Sequence, residues 1–474
     1  MADLFSHPSE ASSAFDQSGW LNGTGDRSVQ IQSVPVPYFG RYRVTVKTQG
    51  ASVLFGQRRN LIKADVPNGE TSFYTCLTEY IPSMQNKPDE NLALYASTYG
   101  GGLSDMRAEE CAVRTVFIAG DSTVADQYAV PYYPFESYCG WGQMLAAFLP
   151  EDAVCNMAHS GLTARCFMED GHFGIVLKHM RPVDLCLIQF GHNDQKRRYL
   201  QADQQYKDYL KRICDQVIPK GAKPVLVSPI SRVPSRDEAG VFDLLEDHAS
   251  AVRSLAQENR LPFIDLHKYS FDLFCSMGEG CRSLFKDMTH PNDPGAFRLA
   301  KYVARQLEAQ GLARFHEAVP GFIASDKEKS PSSAPGGPLP VPYTDIDEVR
   351  NKSVVFQGVQ KGLLDPCVLH MHPFEPVTRA AFIQMLFRAA RIPSSPTNGR
   401  FPYTDIKPRE FDAGFAQTCR LRGLVTGDRY RPNDIVTTAE ANELFLRAGL
   451  SCRVKERQGL PCKLEIVEAL LKTM

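Results

Sequence analysis

Between residues 28 and 110 hydrophobic and polar positions alternate. Tyr42, Val44 and Val46 are interleaved with Arg41, Arg43, Thr45 and Lys47, the period of two that turns one face of a strand to a core and the other to water. Turn residues punctuate the stretch at Gly50, at Pro67-Asn68-Gly69 and at Gly100-Gly101-Gly102. The pattern predicts a small β-sandwich over residues 1–111. From 112 to 318 the pattern changes. Short apolar runs at 113–119, 153–158, 183–190, 224–229 and 262–266 are separated by amphipathic stretches such as 205–217 and 244–258. Apolar strands alternating with helices predict an α/β unit, a parallel sheet covered on both faces. Active sites in such sheets lie beyond the carboxyl ends of the strands.

Residues 319–340 are rich in Ser, Pro and Gly, with Ser330-Pro331-Ser332-Ser333-Ala334-Pro335-Gly336-Gly337-Pro338 at their centre, and read as a linker. Residues 341–474 then repeat themselves. Pro342-Tyr343-Thr344-Asp345-Ile346 returns as Pro402-Tyr403-Thr404-Asp405-Ile406, and Gly362-Leu363 as Gly423-Leu424. Val377-Thr378 and Ala380 return as Val436-Thr437 and Ala439, and a Leu/Phe/Arg/Ala helix closes each unit. The tail from Glu465 to Met474 resembles the closing helix of a third, truncated unit.

Composition narrows the partners. A formal net charge of −1 gives a nucleic-acid partner no electrostatic support. No apolar run is long enough to cross a bilayer, so no membrane partner is expected. The segment Met1-Ala2-Asp3-Leu4-Phe5-Ser6-His7-Pro8 lacks a basic stretch followed by an apolar one, and a cytoplasmic location is the expectation. The 13 cysteines contain no Cys-x-x-Cys pair and are expected to be reduced, although Cys275 and Cys281 could bridge. No Cys/His cluster has ligand spacing, so neither a metal nor another cofactor is expected.

The chemistry gathers at the predicted strand ends. Ile118-Ala119-Gly120-Asp121-Ser122-Thr123 places a hydroxyl where a strand meets a turn, and Asp287-Met288-Thr289-His290 lies far downstream. A serine hydroxyl is a poor nucleophile until a histidine takes its proton, and that histidine needs a carboxylate to fix its tautomer. Gly161, in Asn156-Met157-Ala158-His159-Ser160-Gly161, allows a backbone N–H to approach a substrate unobstructed. Asn193, in Gln189-Phe190-Gly191-His192-Asn193-Asp194, offers an amide donor for an oxyanion. Each piece alone has a bland reading: Gly-Asp-Ser as a turn, Asp287 and His290 as a cap, Asn193 as an Asx-turn, Gly161 as a helix C-cap. Four such accidents at successive strand ends are improbable.

At these residues the chain resembles the SGNH, or GDSL, hydrolases, and within them the rhamnogalacturonan acetylesterase group of carbohydrate esterases. Gly120-Asp121-Ser122-Thr123, Trp141-Gly142-Gln143-Met144, the segment from Asn156 through Gly161 to Arg165, Gln189-Phe190-Gly191-His192-Asn193-Asp194 and Asp287-Met288-Thr289-His290-Pro291-Asn292 carry the resemblance, and the upstream β domain resembles the carbohydrate-binding-like sandwich found before some bacterial members. It implies a flavodoxin-like three-layer domain with a five-stranded parallel sheet. It also implies Ser122 as nucleophile, His290 as base, Asp287 as orienting acid, and the Ser122 and Gly161 N–H groups with the Asn193 amide as oxyanion donors. Thr163-Ala164-Arg165-Cys166 departs from the group's usual Ser-x-Arg-Ser. Substrate contacts are expected from Asp121, Trp141, Arg165 and His192. Trp141 could equally be core, and Arg165 a structural ion pair. His159 has a small chance of touching substrate, Asp126 of lining the pocket; His172, His248 and His267 read as structural.

The implied activity is removal of O-acetyl groups from plant cell-wall carbohydrate, with pectic rhamnogalacturonan oligosaccharides as substrate. Two alternatives stay open: the same fold acting on acetyl-xylan, a lipid or a thioester, and a non-catalytic carbohydrate- or wall-binding protein. The C-terminal repeat resembles S-layer homology units, whose Thr-Arg-Ala-Glu motif binds wall polysaccharide. Here it reads Thr378-Arg379-Ala380-Ala381 and Thr437-Thr438-Ala439-Glu440. Each copy has lost one charged member, which points to a degenerate module that packs on the esterase or mediates assembly, with weak wall-polysaccharide binding or self-association as its remaining partners.

Overall fold

The structure, a computed structural model, describes residues 19, 29–82, 85–127, 138–237, 240–319, 341–394, 401–455 and 459–474. The opening segment around Met1-Ala2 and the linker around Pro335 lie outside the described residues.

The alternating N-terminal stretch forms seven strands: β1 (Val29–Pro35), β2 (Gly40–Gln49), β3 (Ala51–Phe55), β4 (Leu61–Val66), β5 (Gly69–Leu77), β6 (Ala93–Tyr99) and β7 (Gly102–Glu110). Four of them make an antiparallel sheet in the order β1-β6-β3-β4. The other three, in the order β5-β2-β7, face it across a core of Val44, Val46, Leu54, Val66 and Leu94.

The central strands are β8 (Thr115–Gly120), β9 (Ala153–Asn156), β10 (Leu185–Gln189) and β11 (Lys223–Val227). A hairpin of β12 (Ser235–Asp237) and β13 (Gly240–Phe242) follows, and then the short β14 (Phe263–Ile264). β8, β9, β10, β11 and β14 lie parallel in the order β14-β11-β10-β8-β9. Each overlaps an expected apolar run, β8 and β11 reaching one residue beyond it. The expectation of a separate sandwich and a five-stranded sheet needs correction. β5 pairs in parallel with β9 at Thr75↔Val154, so one sheet of eight strands runs through both regions. The reason is local: an uncovered sheet edge leaves backbone donors and acceptors that another strand can pair.

Alternation assigns the faces. Val116, Ile118, Leu185, Leu187, Val225 and Val227 point into one core. Phe117, Ala119, Cys186, Ile188 and Leu226 point into the other. The first is closed by α6 (Leu266–Met277) and α7 (Asp293–Ala309), the second by α2 (Ala164–Glu169), α3 (His172–His179), α4 (Lys207–Val217) and α5 (Glu246–Asn259), while α1 (Trp141–Met144) follows β8. Leu210, Ile213, Cys214 and Val217 show the stripe that docks α4, spaced three and four residues apart.

The C-terminal residues build α8 (Lys352–Gln360), α9 (Arg379–Ala389), α10 (Ala413–Leu421), α11 (Thr438–Arg447) and α12 (Lys463–Leu471) around one core that includes Val355, Phe382, Phe445 and Ile466. The repeated letters do repeated work. Thr378 and Thr437 cap α9 and α11 with their side chains, accepting from Ala381 N and Glu440 N. Asp345 accepts from the N–H groups of Met371 and His372, and Asp405 from those of Tyr430 and Arg431. Tyr343 Oη donates to Asp365 O at 2.7 Å and Tyr403 Oη to Val425 O at 3.1 Å. Arg379 and Glu440, the charged remnants of the two motif copies, pair with each other across the units. Cys275 and Cys281 are free thiols, which corrects the bridge the spacing allowed. Among the described residues no helix is long and apolar enough to cross a membrane.

Candidate active site

β8 ends at Gly120, where a side chain would strike Val124 Cγ2 at 2.8 Å and Gln189 O at 2.9 Å. The chain therefore turns tightly. Asp121 folds the turn by accepting from Thr123 N at 2.9 Å and Thr123 Oγ1 at 2.7 Å, while its own carbonyl accepts from Val124 N and Ala125 N. This leaves Ser122 at the carboxyl end of the sheet with only 6% of its surface exposed.

The second segment is a loop closed by the bridge Phe285↔Pro291 and fastened by Lys286 N to His290 O and Val233 N to Met288 O. Asp287 Oδ1 accepts from the N–H groups of Thr289 and His290, both at 2.7 Å. Its other oxygen lies 2.7 Å from His290 Nδ1, and His290 Nε2 lies 2.8 Å from Ser122 Oγ. Burial opposes the Asp287 charge, but the bonds from the His290 ring and the two backbone N–H groups hold the carboxyl well below the usual carboxylate range. The carboxylate is thus ionised beside the ring that a proton would charge. Tyr138 packs edge-on against His290 with ring centroids 5.5 Å apart.

The third and fourth segments follow β9 and β10, the strands on either side of β8. Gly161 has φ +81°, in the left-handed region that favours glycine. Among the described residues neither the Ser122 nor the Gly161 backbone N–H donates to a protein acceptor. Asn193 is held from both ends: its Nδ2 donates to Leu162 O at 3.0 Å, and its Oδ1 accepts from Lys196 Nζ at 3.0 Å. One amide N–H remains for a ligand. Asp194 joins the two segments, accepting from Ala164 N at 2.9 Å and Gly191 N at 3.1 Å, and burial pushes its carboxyl up to about 7.

Other expected contacts are placed differently. Trp141 is fully buried and its Nε1 donates to Gln189 Oε1 at 2.8 Å, so it is core and cannot stack on a sugar. Asp121 and His192 are also buried, 3.3 Å apart, with Asp121 occupied by the turn. Arg165 is half-buried and paired with Glu169 at 2.7 Å. Asp126 is buried against Arg58, Asn60 and Asn156. His159, His172, His248 and His267 are buried.

Sequence reasoning missed Arg58 and Arg59. Both reach from the N-terminal strands into the central domain. Arg58 pairs with Asp126 at 2.9 Å and donates to Asn156 O at 2.8 Å. Arg59 pairs with Asp293 at 3.2 Å, with neither side chain exposed, at the foot of the histidine loop. The only signal was two adjacent charges inside an apolar stretch; their partners are too distant in sequence to be read.

A hydroxyl, an imidazole and a carboxylate in line at the carboxyl ends of a parallel sheet form the arrangement of a serine-dependent acyl hydrolase. The model of the GDSL-like Lipase/Acylhydrolase family matches residues 118–296, a span that holds all four segments. Among curated proteins of Bacillus subtilis, the probable rhamnogalacturonan acetylesterase YesY is 33% identical over 210 residues, 42% of this chain and 94% of YesY. The rhamnogalacturonan acetylesterase RhgT is 34% identical over 215 residues, 42% of this chain and 90% of RhgT. The uncharacterized esterase YxiM is 33% identical over 210 residues, but the match spans only 54% of its length. A crystal structure of YxiM is 26% identical and covers 62% of this chain and 83% of its own, with a TM-score of 0.41. The chain belongs to the GDSL-like lipase/acylhydrolase family, and it is a hydrolase of ester bonds.

Proposed function

We propose that this protein is a serine esterase that removes O-acetyl groups from plant cell-wall carbohydrate, with pectic rhamnogalacturonan oligosaccharides as its substrate. The observation that carries the reading is the continuous line from Ser122 Oγ through the His290 ring to Asp287, at 2.8 and 2.7 Å. His290 takes the Ser122 proton as Oγ attacks the ester carbonyl. The oxyanion is met by the Ser122 and Gly161 N–H groups and the remaining Asn193 N–H, each donor worth about 3–4 kcal/mol in the transition state. The tetrahedral centre collapses, the sugar oxygen leaves with the proton from His290, and acetyl stays on Ser122. Water activated by His290 then releases acetate and restores the hydroxyl.

The names of YesY and RhgT support the choice of acetylated rhamnogalacturonan. The strand order β9-β8-β10-β11-β14 supports a flavodoxin-like reading of the central domain. We read the C-terminal residues as degenerate S-layer homology units that now serve the esterase. The mutual pairing of Arg379 and Glu440 supports this over wall anchoring, because it occupies the charges a polysaccharide would need. The protein would act on short oligosaccharides in the cytoplasm, where its cysteines stay reduced. Acetate release from acetylated rhamnogalacturonan oligosaccharides tests the function, with Ser122→Ala as control. Release by the wild type, reduced at least 1000-fold in the variant, is the expected outcome. Cleavage of p-nitrophenyl acetate alone would send the search to other acyl groups, and full activity in Ser122→Ala would end the mechanism.

A further inference from the structure

The first C-terminal unit touches the site at Gly161. A side-chain carbon built on Gly161 would lie 2.1 Å from Cys367 Cβ and 3.0 Å from Cys367 Sγ. Cys367 is therefore seated directly on the glycine whose N–H faces the developing oxyanion. Its loop is tied down on both sides of that contact. Asp365 accepts from Cys367 N at 2.9 Å and pairs with Arg197 at 2.9 Å, four residues after Asn193. Leu369 N donates to Asp170 Oδ2 at 3.3 Å, and His370 Nε2 lies 3.5 Å from Asp170 Oδ1, where α2 ends. Both segments that carry oxyanion donors are thus clamped to the same six residues of the repeat. The corresponding turn of the second unit does no such work: a side-chain carbon on Gly427 would meet nothing within 4 Å.

We propose that the loop from Asp365 to His370 is part of the catalytic apparatus, and that Cys367 is a positioning residue that holds Gly161 in donor geometry. The proposal rests on the esterase reading. A glycine in the left-handed region has no side chain to anchor it, so its N–H direction depends on what packs against Cα. Displacing an oxyanion donor by a fraction of an ångström weakens a bond made only in the transition state, which lowers kcat and leaves KM nearly unchanged.

The contact is made by Cβ, and this defines the test. In the full-length protein, Cys367→Gly removes the contact and Cys367→Ala retains it. With p-nitrophenyl acetate we expect kcat to fall about tenfold in Cys367→Gly at similar KM, and to return to within about twofold of wild type in Cys367→Ala. Gly161→Ala creates the clash, and adding Cys367→Gly to it should recover activity at least threefold. Circular dichroism and thermal unfolding report whether each variant folds; if Gly161→Ala does not, the Gly/Ala pair at 367 decides alone. Equal kcat for wild type and Cys367→Gly would overturn the proposal while leaving the esterase intact. Wild-type turnover that does not depend on Ser122 would overturn the esterase reading itself, and this one with it.

Discussion

Arg58 and Arg59 reach the centre of the molecule from the N-terminal strands; Asp365 and Cys367 reach it from the C-terminal repeat. The two approaches differ in depth. Arg59 and Asp293 are both fully buried, whereas the side chains of Arg197 and Asp365 are 33% and 17% exposed. Arg58 and Arg59 also adopt φ of 49° and 58°, conformations that cost about 1 kcal/mol or more each and persist only where surroundings enforce them. Three of the N-terminal strands, β5, β2 and β7, are part of the eight-stranded sheet. The repeats have a core of their own and meet the esterase through ion pairs, exposed ones such as Lys407 with Asp247 and a deeper one between Arg198 and the buried Asp412. One neighbour shares a sheet with the esterase; the other keeps its own core and reaches the site at Gly161.

This contrast can be broken. The largest effect is expected from Arg59→Ala, which strands the Asp293 carboxylate in the interior. Removing one partner of a buried pair typically costs about 3–5 kcal/mol. Denaturant unfolding should show a loss of that order, and a loss below about 1 kcal/mol would mean the N-terminal strands are not integral.

Asp194 comes next, because it joins the oxyanion segments from inside as the repeat does from outside. Its carboxyl is raised from 3.8 to about 7 by burial, so the native state keeps a proton that the unfolded chain has released. Stability from this group is present at low pH and is lost as pH rises from about 4 to 7, flattening above, by a few kcal/mol at most. Thermal unfolding of wild type against Asp194→Asn across that range should show the slope only in wild type. Identical slopes would remove Asp194 as the cause.

The smallest effect belongs to Arg197→Ala. A partly exposed ion pair contributes up to about 1 kcal/mol, and stability should change by no more than that. A loss above about 2 kcal/mol would place the repeats as deeply in the fold as the strands.

What could be read from the chain follows the same division. Asp287 and His290 are three residues apart and meet on one turn, so local sequence carries their geometry. The central strands announced themselves as apolar runs, and the repeats by returning letters whose hydrogen bonds also return. Trp141 was ambiguous because an indole suits a sugar face and a core alike; burial against Gln189 decides it. The pairing of Arg59 with Asp293, of β5 with β9 and of Cys367 with Gly161 joins residues far apart in the chain, and no periodicity encodes such contacts. Arg379 and Glu440 looked like remnants of two motif copies because each copy had lost a different member; their pairing is visible only once the units are stacked.

The central claim is that acetyl passes through Ser122. Rapid quenching during p-nitrophenyl acetate turnover, followed by peptide mass mapping, tests it directly. The account predicts an added acetyl group on the peptide containing Ser122, absent in Ser122→Ala and strongly reduced in His290→Ala, which lacks the base that activates the serine. An acetyl group found on another residue, or turnover with Ser122 unmodified throughout, would contradict it.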